Sequence, residues 1–307
     1  MNIDIAICTR NRAESVRQTL ESMVAMKCPR SVDLRFLVVD NASDDNTKSV
    51  VQSYFDKLNL SLFHESRQGH AFARNHAISQ AMGDWLIWTD DDVQVDSNWL
   101  TAYSEAFQEF PDSTFFGGPI QPVFTPQQPS WIQENWDKLR GCFAERQLGD
   151  TPFRFTTDQL PYGANFAIRT DTQKQHLFNT ELGRRGDSVV GHDEISLFHK
   201  LFEKGHSGHW IPAARISHVI GPERQTASYI RNYFIGQGRM LVANQRQWNS
   251  NPKQLARESR WELICSRIKR FIANSDTWTS HLIRSGLAEG QYRELVEGST
   301  DVKTPAV

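Results

Sequence analysis

The sequence predicts an α/β protein: a mostly parallel central sheet flanked by helices, with a C-terminal helical extension. Three observations predict it. Over the first hundred residues, short apolar runs alternate with segments of helical period, the pattern of strand–helix–strand units in a parallel sheet. Three of those runs end on clusters of polar residues, and open sheets bind ligands beyond the carboxyl ends of their strands. Past residue 223 the spacing is mostly helical.

The elements follow in order. Residues 3–8 (IDIAIC) form an isoleucine-rich strand bounded by polar residues. Ala13, Val16, Leu20, Met23 and Val24 then recur at helical spacing. Residues 34–39 (LRFLVV) are a second strand, and 47–58 a second helix, with Asp44 or Asn46 placed to cap its first-turn amides. A third strand over 60–63 leads to a helix over 70–82, stopped by Gly83. A strand over 85–89 and a helix over 98–110, closed by Pro111, complete this half. Gly, Pro and Gln then predict loops and short strands. Residues 163–168 (GANFAI) are strand-like, 193–204 helical with Ile195, Leu197, Phe198 and Leu201 on one face, and 215–219 a returning strand. Helices are expected over 227–248 and 254–273, and a disordered tail over 298–307.

The bulk numbers exclude several classes. The 307 residues suffice for one large or two small domains, and 39% hydrophobic content is ordinary for a folded protein. A net charge of −2 gives no reason to expect a nucleic-acid partner. Cys8, Cys28, Cys142 and Cys265 are scattered with no CxxC pair, so neither disulfides nor a zinc site is expected. Residues 1–4 run directly into the apolar residues 5–8, so no secretory leader is expected. No apolar run approaches the roughly 20 residues needed to span a bilayer. These readings together place the protein in the cytoplasm.

The chemistry concentrates at TDDDV, residues 89–93, directly after the apolar run 85–88. Adjacent carboxylates repel, and burying them unpaired is costly. The cluster is therefore either a solvated turn or a cation site, and its place after a buried strand favours the cation. Carboxylate oxygens are the ligands that Mg²⁺ takes, with substrate phosphates completing its shell. A D-x-D pair lets one carboxylate meet metal while the other meets ligand. The first strand is followed by Thr9, Arg10, Asn11 and Arg12, and the second by Asp40, Asn41, Ser43 and Asp44; alone, the latter reads as an Asx-type turn with a helix cap.

Taken together, CTRNR, VVDNASDD, GHAFARN and TDDDV, in that order and spacing, resemble the family 2 glycosyltransferases of GT-A fold over roughly residues 1–220. The resemblance implies a nucleotide-sugar-binding half over 1–115, an acceptor-binding and catalytic-base half over 116–222, and a helical extension over 223–297. It implies that Asp40 pairs with the nucleobase, uracil by default, and that Thr9, Asn11 and Arg12 line the nucleotide pocket. Asp92 would ligate Mg²⁺ or Mn²⁺, with Asp90 or Asp91 nearer the ribose and Asp90 a second candidate ligand. Arg74 would hold donor phosphates, Asn165 would line the acceptor side of the donor sugar, and His218 would complete the metal shell or touch the pyrophosphate. The family's acidic pair, often Glu-Asp, matches Asp193-Glu194 in reverse order, which leaves Glu194 and Asp193 as the two candidate bases. A helix-start acid also has a structural use against the macrodipole.

The implied activity is inverting transfer of one sugar from a nucleoside-diphosphate sugar, UDP-linked by default, to a saccharide or lipid-linked acceptor. The QxxRW signature of processive synthases does not follow the acidic pair. The alternatives are a sugar-1-phosphate nucleotidyltransferase, which wants a glycine-rich loop where CTRNR has none, and a non-catalytic nucleotide-sugar-binding protein. Residues 181–187, with Arg184 and Arg185, are either a lid over bound donor or a solvated turn. The helix over 257–273 carries Arg257, Arg260, Arg267, Lys269 and Arg270 beside a stripe of Trp261, Ile264, Cys265, Ile268, Phe271 and Ile272. That pattern fits peripheral contact with the inner face of a membrane, packing on the catalytic domain, or a homodimer contact.

Overall fold

The computed structural model describes residues 1–180, 193–245, 252–273 and 275–297. The expected lid over 181–187, the end of the helix expected to reach 248, and the tail over 298–307 lie outside the described residues. The chain forms two compact units. The first comprises residues 1–123, 143–180 and 193–220; the second comprises 124–142 and the described residues from 221 onward. The 124–142 stretch thus groups with the C-terminal helices rather than with the sheet that flanks it in sequence.

In chain order the first unit runs β1 (Asn2–Thr9), α1 (Ala13–Val24), β2 (Asp33–Asp40), α2 (Thr47–Gln52), β3 (Leu60–His64), α3 (His70–Gln80), β4 (Trp85–Asp90), β5 (Val93–Val95), α4 (Trp99–Glu109), β6 (Phe115–Gly117) and β7 (Ile120–Phe124). After α5 (Ser130–Glu134) and α6 (Trp136–Leu139) of the second unit it resumes with β8 (Phe153–Arg154), β9 (Asn165–Arg169), α7 (Thr170–Gln175), α8 (Asp193–Glu203), β10 (Gly208–Trp210) and β11 (Ile216–Ile220). The main sheet has the order β3-β2-β1-β4-β9-β6-β10-β8; its first four strands are parallel, and β9 runs against both β4 and β6. A smaller sheet has the order β5-β11-β7.

Alternation along β1 explains the layering, because successive strand residues point to opposite faces. Ile3, Ile5 and Ile7 pack with Val16, Leu20 and Met23 of α1. Ala6, on the other face, packs with Leu37, Val39 and the alanines Ala71, Ala73 and Ala77 of α3. Each fully buried Val, Leu or Met contributes about 1.5–3 kcal/mol. The second expected helix ends at Gln52, earlier than the apolar spacing implied, and continues as turns. Neither expected cap bonds it through its side chain: Asn46 holds the cap position without a side-chain bond, and Asp45 takes the Thr47 amide instead at 2.9 Å.

The second unit continues with α9 (Ala227–Gln245), α10 (Pro252–Ile272) and α11 (Ser275–Glu297). Helices α9 and α11 meet almost backbone to backbone. A Cβ on Gly290 would stand 2.0 Å from the Ile235 carbonyl oxygen, so no side chain fits there. No described helix is long and apolar enough to cross a membrane.

One buried acid ties β1 to β2 and to the turn that precedes β4. Asp4, 2% exposed, accepts from Arg35 Nε at 2.8 Å and from the Met82 and Gly83 amides at 2.6 and 2.8 Å. Burial alone would raise its pKa, but the Arg35 bond and the two amides outweigh that and hold it below the ordinary carboxyl value. A folded-state value below the unfolded one gives stability that is complete above about pH 4 and is lost as the pH falls further. Asp4→Asn is expected to lower unfolding free energy by about 2 kcal/mol at pH 7. In urea midpoints measured against pH, the difference from the parent should shrink toward the acid end.

Candidate active site

Strand register assembles the site. Thr9 pairs with Asp40, Asp40 with His64, and Cys8 with Asp90, so the carboxyl ends of β1, β2, β3 and β4 finish level. The loops beyond them are cross-tied. The Asn11 amide donates to Ser43 Oγ at 2.9 Å, the Asp44 amide to Asn11 Oδ1 at 2.7 Å, and the Arg12 amide to Thr47 Oγ1 at 3.1 Å. Asn41, buried in the second loop, donates to the Glu65 and Arg67 carbonyls and accepts the Gly69 amide. Among the described residues, the non-glycine positions with positive φ are Asn11, Ala42 and Ala144 at 51°, 57° and 57°. Two of them sit in these loops, and sparsely populated backbone of this kind persists where surrounding structure enforces it.

The three aspartates do different things. Asp91 and Asp92 are buried, and Arg12 NH1 lies 3.0 Å from Asp91 Oδ1 and 2.7 Å from Asp92 Oδ2. Burial raises the Asp91 pKa to about 6, with Arg12 opposing the rise and the charges of Asp92 and Asp90 adding to it. The two carboxylates hold the Arg12 guanidinium still more firmly charged. Asp92 Oδ1 faces His218 Nε2 at 3.4 Å. Pairing of β5 with β11 sets this contact: Val93 is in register with His218, and the Val219 amide donates to the Asp92 carbonyl at 2.9 Å. His218 Nδ1 stands 3.0 Å from the Phe143 carbonyl oxygen. A carbonyl there favours the proton on Nδ1, which turns the Nε2 lone pair toward Asp92.

Asp90 faces elsewhere. Its Oδ1 lies 4.0 Å from NH2 of Arg74, a buried arginine of α3. Arg74 NH1 is 3.6 Å from Glu194 Oε2, and its guanidinium carbon lies 4.9 Å from the Phe178 ring centre and 5.7 Å from that of Trp88. This buried cation, seated on aromatic faces, links the aspartate cluster to the first turn of α8. A Cβ on Gly163 would stand 2.7 Å from Arg74 NH2 and 3.2 Å from Glu194 Oε1, so the glycine leaves room for the pair. The side chain of Asp193 lies outside the described residues.

The remaining expected residues are placed as follows. Thr9 and Asp40 are buried at the ends of their strands. Asp40 Oδ1 accepts the Ser43 amide at 3.1 Å, and its Oδ2 lies 3.5 Å from Nδ1 of the exposed His64. Asn165 is fully buried, and its amide is saturated: Oδ1 accepts from Trp99 Nε1 and the Tyr103 hydroxyl, and Nδ2 donates to the Pro119 and Ala214 carbonyls. Four bonds leave it no capacity for a ligand in this arrangement. His64 and Glu65 went unremarked in the sequence, although the rule that found the other clusters covers them, since they end and follow β3. Arg67 bonds to Glu65 and holds its carboxyl down at about 2.

Among the described residues, no group of three or more His, Cys, Asp and Glu side chains stands ready to hold a metal ion. The local chemistry nevertheless fits a divalent cation. Asp90, Asp91, Asp92 and Glu194 set four carboxylates against the two guanidiniums of Arg12 and Arg74, leaving two negative charges when all are ionised. Asp92 and His218 present two acceptors to one point, a suitable pair of ligands. A separate groove of 570 Å³, lined by Gln94, Gln121, Arg215 and Ser217 among others, contains none of these acids. Ser217 and His218 are neighbours on one strand and so point to opposite faces.

An open sheet whose acids, histidine and buried arginine gather beyond its parallel strands has the layout of a GT-A transferase. Residues 4–166 match the model of Glycosyl transferase family 2, more than half of the chain, and the protein belongs to that family and is a glycosyltransferase. It is 29% identical over 262 residues to the succinoglycan biosynthesis protein ExoM of Rhizobium meliloti, covering 81% of this chain and 79% of that one. In fold it is similar to S. aureus TarS 1-349 in complex with UDP, with a TM-score of 0.58, 16% identity and coverage of 100% and 93% of the two chains. It is also similar to the mannosyltransferase PcManGT of Pyrobaculum calidifontis in complex with GDP-Man and Mn²⁺, with a TM-score of 0.55, 18% identity and coverage of 96% and 87%.

Removing the amide of Asn165 would strand Trp99 Nε1, the Tyr103 hydroxyl and the Ala214 carbonyl, while the Pro119 carbonyl keeps the Ile216 amide. Asn165→Ala is expected to destabilise the fold by about 3–5 kcal/mol in urea titration, with the nucleotide affinity of the remaining folded fraction unchanged.

Proposed function

We propose that the protein is a divalent-cation-dependent, inverting glycosyltransferase. It moves one sugar from a nucleoside-diphosphate sugar, uridine-linked by preference, to an acceptor hydroxyl in polysaccharide or glycolipid biosynthesis. The observation that carries this reading is the bridge Asp90–Arg74–Glu194 beside the Asp92–His218 pair, at the carboxyl edge of the parallel strands. TarS and PcManGT were solved with UDP and with GDP-Man and Mn²⁺, and the succinoglycan role of ExoM supports a polysaccharide product.

Asp40 stands at the end of β2, where its carboxylate accepts from the base of the nucleotide, while Thr9, Asn11 and Arg12 line the wall beside it. Asp92 and His218 would hold a Mg²⁺ or Mn²⁺ ion, and Asp90 would turn to the ribose or to the ion. When bound, the cation offsets the charge that grows on the departing diphosphate. Arg74 adds a fixed positive charge within reach of the same oxygens. Glu194 takes the proton of the acceptor hydroxyl as that oxygen attacks the anomeric carbon, and Asp193 is the other candidate for that task. The attack comes from the side opposite the leaving group, so the configuration inverts and no covalent enzyme intermediate forms.

Calorimetric titration with UDP, GDP and dTDP, with and without Mn²⁺, tests the site. One nucleotide is expected to bind only with the metal, and Asp92→Ala should abolish that binding. Failure of all three to bind the folded protein would overturn the reading. Glu194→Gln is expected to lower kcat by about 10²–10⁴-fold with nucleotide affinity intact. Full turnover in both Glu194→Gln and Asp193→Asn would remove the proposed base.

A further inference from the structure

We propose that one face of α10 docks on the surface of an anionic lipid bilayer. The face is the solvent side of the helix, and its composition is unlike that of an ordinary exposed helix. Trp261, Ile264 and Ile268 are 68%, 42% and 60% exposed. Arg257 and Arg260 are exposed beside them, while Arg267 is turned to α11, its NH2 2.8 Å from Glu289 Oε2. Positions 257, 260, 261, 264 and 268 follow the spacing that lines one helix face. The opposite face is mixed, with Leu255 and Leu263 part-buried at the same spacing as two serines. Ser259 and Ser266 are buried; Ser259 donates to Gln291 of α11 at 3.3 Å, and Ser266 to Glu262 at 2.8 Å. The helix thus leaves a tryptophan and two isoleucines in water on its outer face. The side chains of Phe271 and Ile272 lie outside the described residues.

Charge selects the occupant. Helix α10 carries six basic residues and two acidic ones, a surplus of four in a chain whose total is −2. Its acids, Glu258 and Glu262, fall outside the apolar stripe by helical spacing. A two-fold contact between copies through this face would set arginines against arginines with no acid on the stripe to pair them. An anionic bilayer meets both halves of the pattern: arginines engage lipid phosphates while Trp261 and the isoleucines enter the headgroup boundary. No described helix is able to span the bilayer, so the contact is interfacial. The inference rests on α10 alone and stands apart from the catalytic reading.

Flotation of the full chain with lipid vesicles tests it. At low salt the protein is expected to float with phosphatidylcholine vesicles containing about one part in four of phosphatidylglycerol, and to stay below with phosphatidylcholine alone. The pair Trp261→Glu and Ile268→Glu should abolish flotation with the helical circular dichroism unchanged. Arg257→Gln and Arg260→Gln, which leave the stripe intact, should each weaken vesicle affinity about fivefold and so report even if the glutamate pair does not fold. No flotation with either vesicle would overturn the proposal, as would flotation that survives these substitutions. A dimer that the glutamate pair dissociates, without vesicle binding by the parent, would make the face a self-interface and overturn it equally.

Discussion

Arg12 NH1 reaches Asp92 at 2.7 Å and Asp91 at 3.0 Å, and these two contacts let neighbouring carboxylates lie nearly buried side by side. Desolvation opposes the charged form of both acids, and their mutual repulsion adds to it. Only a fixed cation in the same pocket keeps the arrangement from relaxing into solvent. The guanidinium is itself held from behind, because the Arg12 amide is bonded to Thr47 and the Asn11 amide to Ser43. Much of what lies beyond the first two strands serves this placement. The left-handed residues Asn11 and Ala42 belong to the same two loops. Their strain of about 1–3 kcal/mol each is tolerated because the cross-tied loops enforce it.

The small sheet solves the companion problem of bringing a histidine from far along the chain to the third aspartate. The chain leaves the main sheet at Asp90, and Val93 opens β5 only three residues later. With that spacing Asp92 is held by the β5–β11 ladder and moves with His218 rather than with the loop. Asp90, still on β4, is left to Arg74. The run of three aspartates is therefore a junction between two sheets, and each member takes its environment from a different element.

Much of this was legible in the sequence. The rule that ligands gather beyond parallel strands grouped the clusters at Thr9, Asp40 and Asp90 before any coordinates, since strand ends and their polar caps are local signals; the register that levels them is set by the strand pairing. The proximity of Arg74 to Glu194 was not legible: the two are far apart in sequence, and only Gly163 at the crossing gives the contact away. Asn165 was legible as a strand residue but not in its bonding, since Trp99, Tyr103, Pro119 and Ala214 come from separate segments. Helix α11 lies within the helical extension expected over 223–297 but was not delimited as an element; on it Gly290 permits close approach to α9. The stripe on α10 was legible from spacing, but which way it faces was not, and the buried Ser259 and Ser266 mark the packed side.

The first loop also bears on how phosphate charge is met. Where a nucleotide enzyme cradles phosphates on backbone amides, the amides after the first strand must point free into the pocket. Here three consecutive ones are taken: Asn11 donates to Ser43, Arg12 to Thr47, and Ala13 to Asp45 at 3.2 Å. A sugar-1-phosphate nucleotidyltransferase built on a phosphate-cradling first loop is therefore a poor fit, on bonding as well as on the lack of glycine. With those amides spent, charge on a diphosphate has to be answered by side chains and by whatever cation the aspartates gather. A surplus of two carboxylate charges beside Arg12 and Arg74 is suited to that arrangement, and a surface already neutralised by backbone donors would have no use for it.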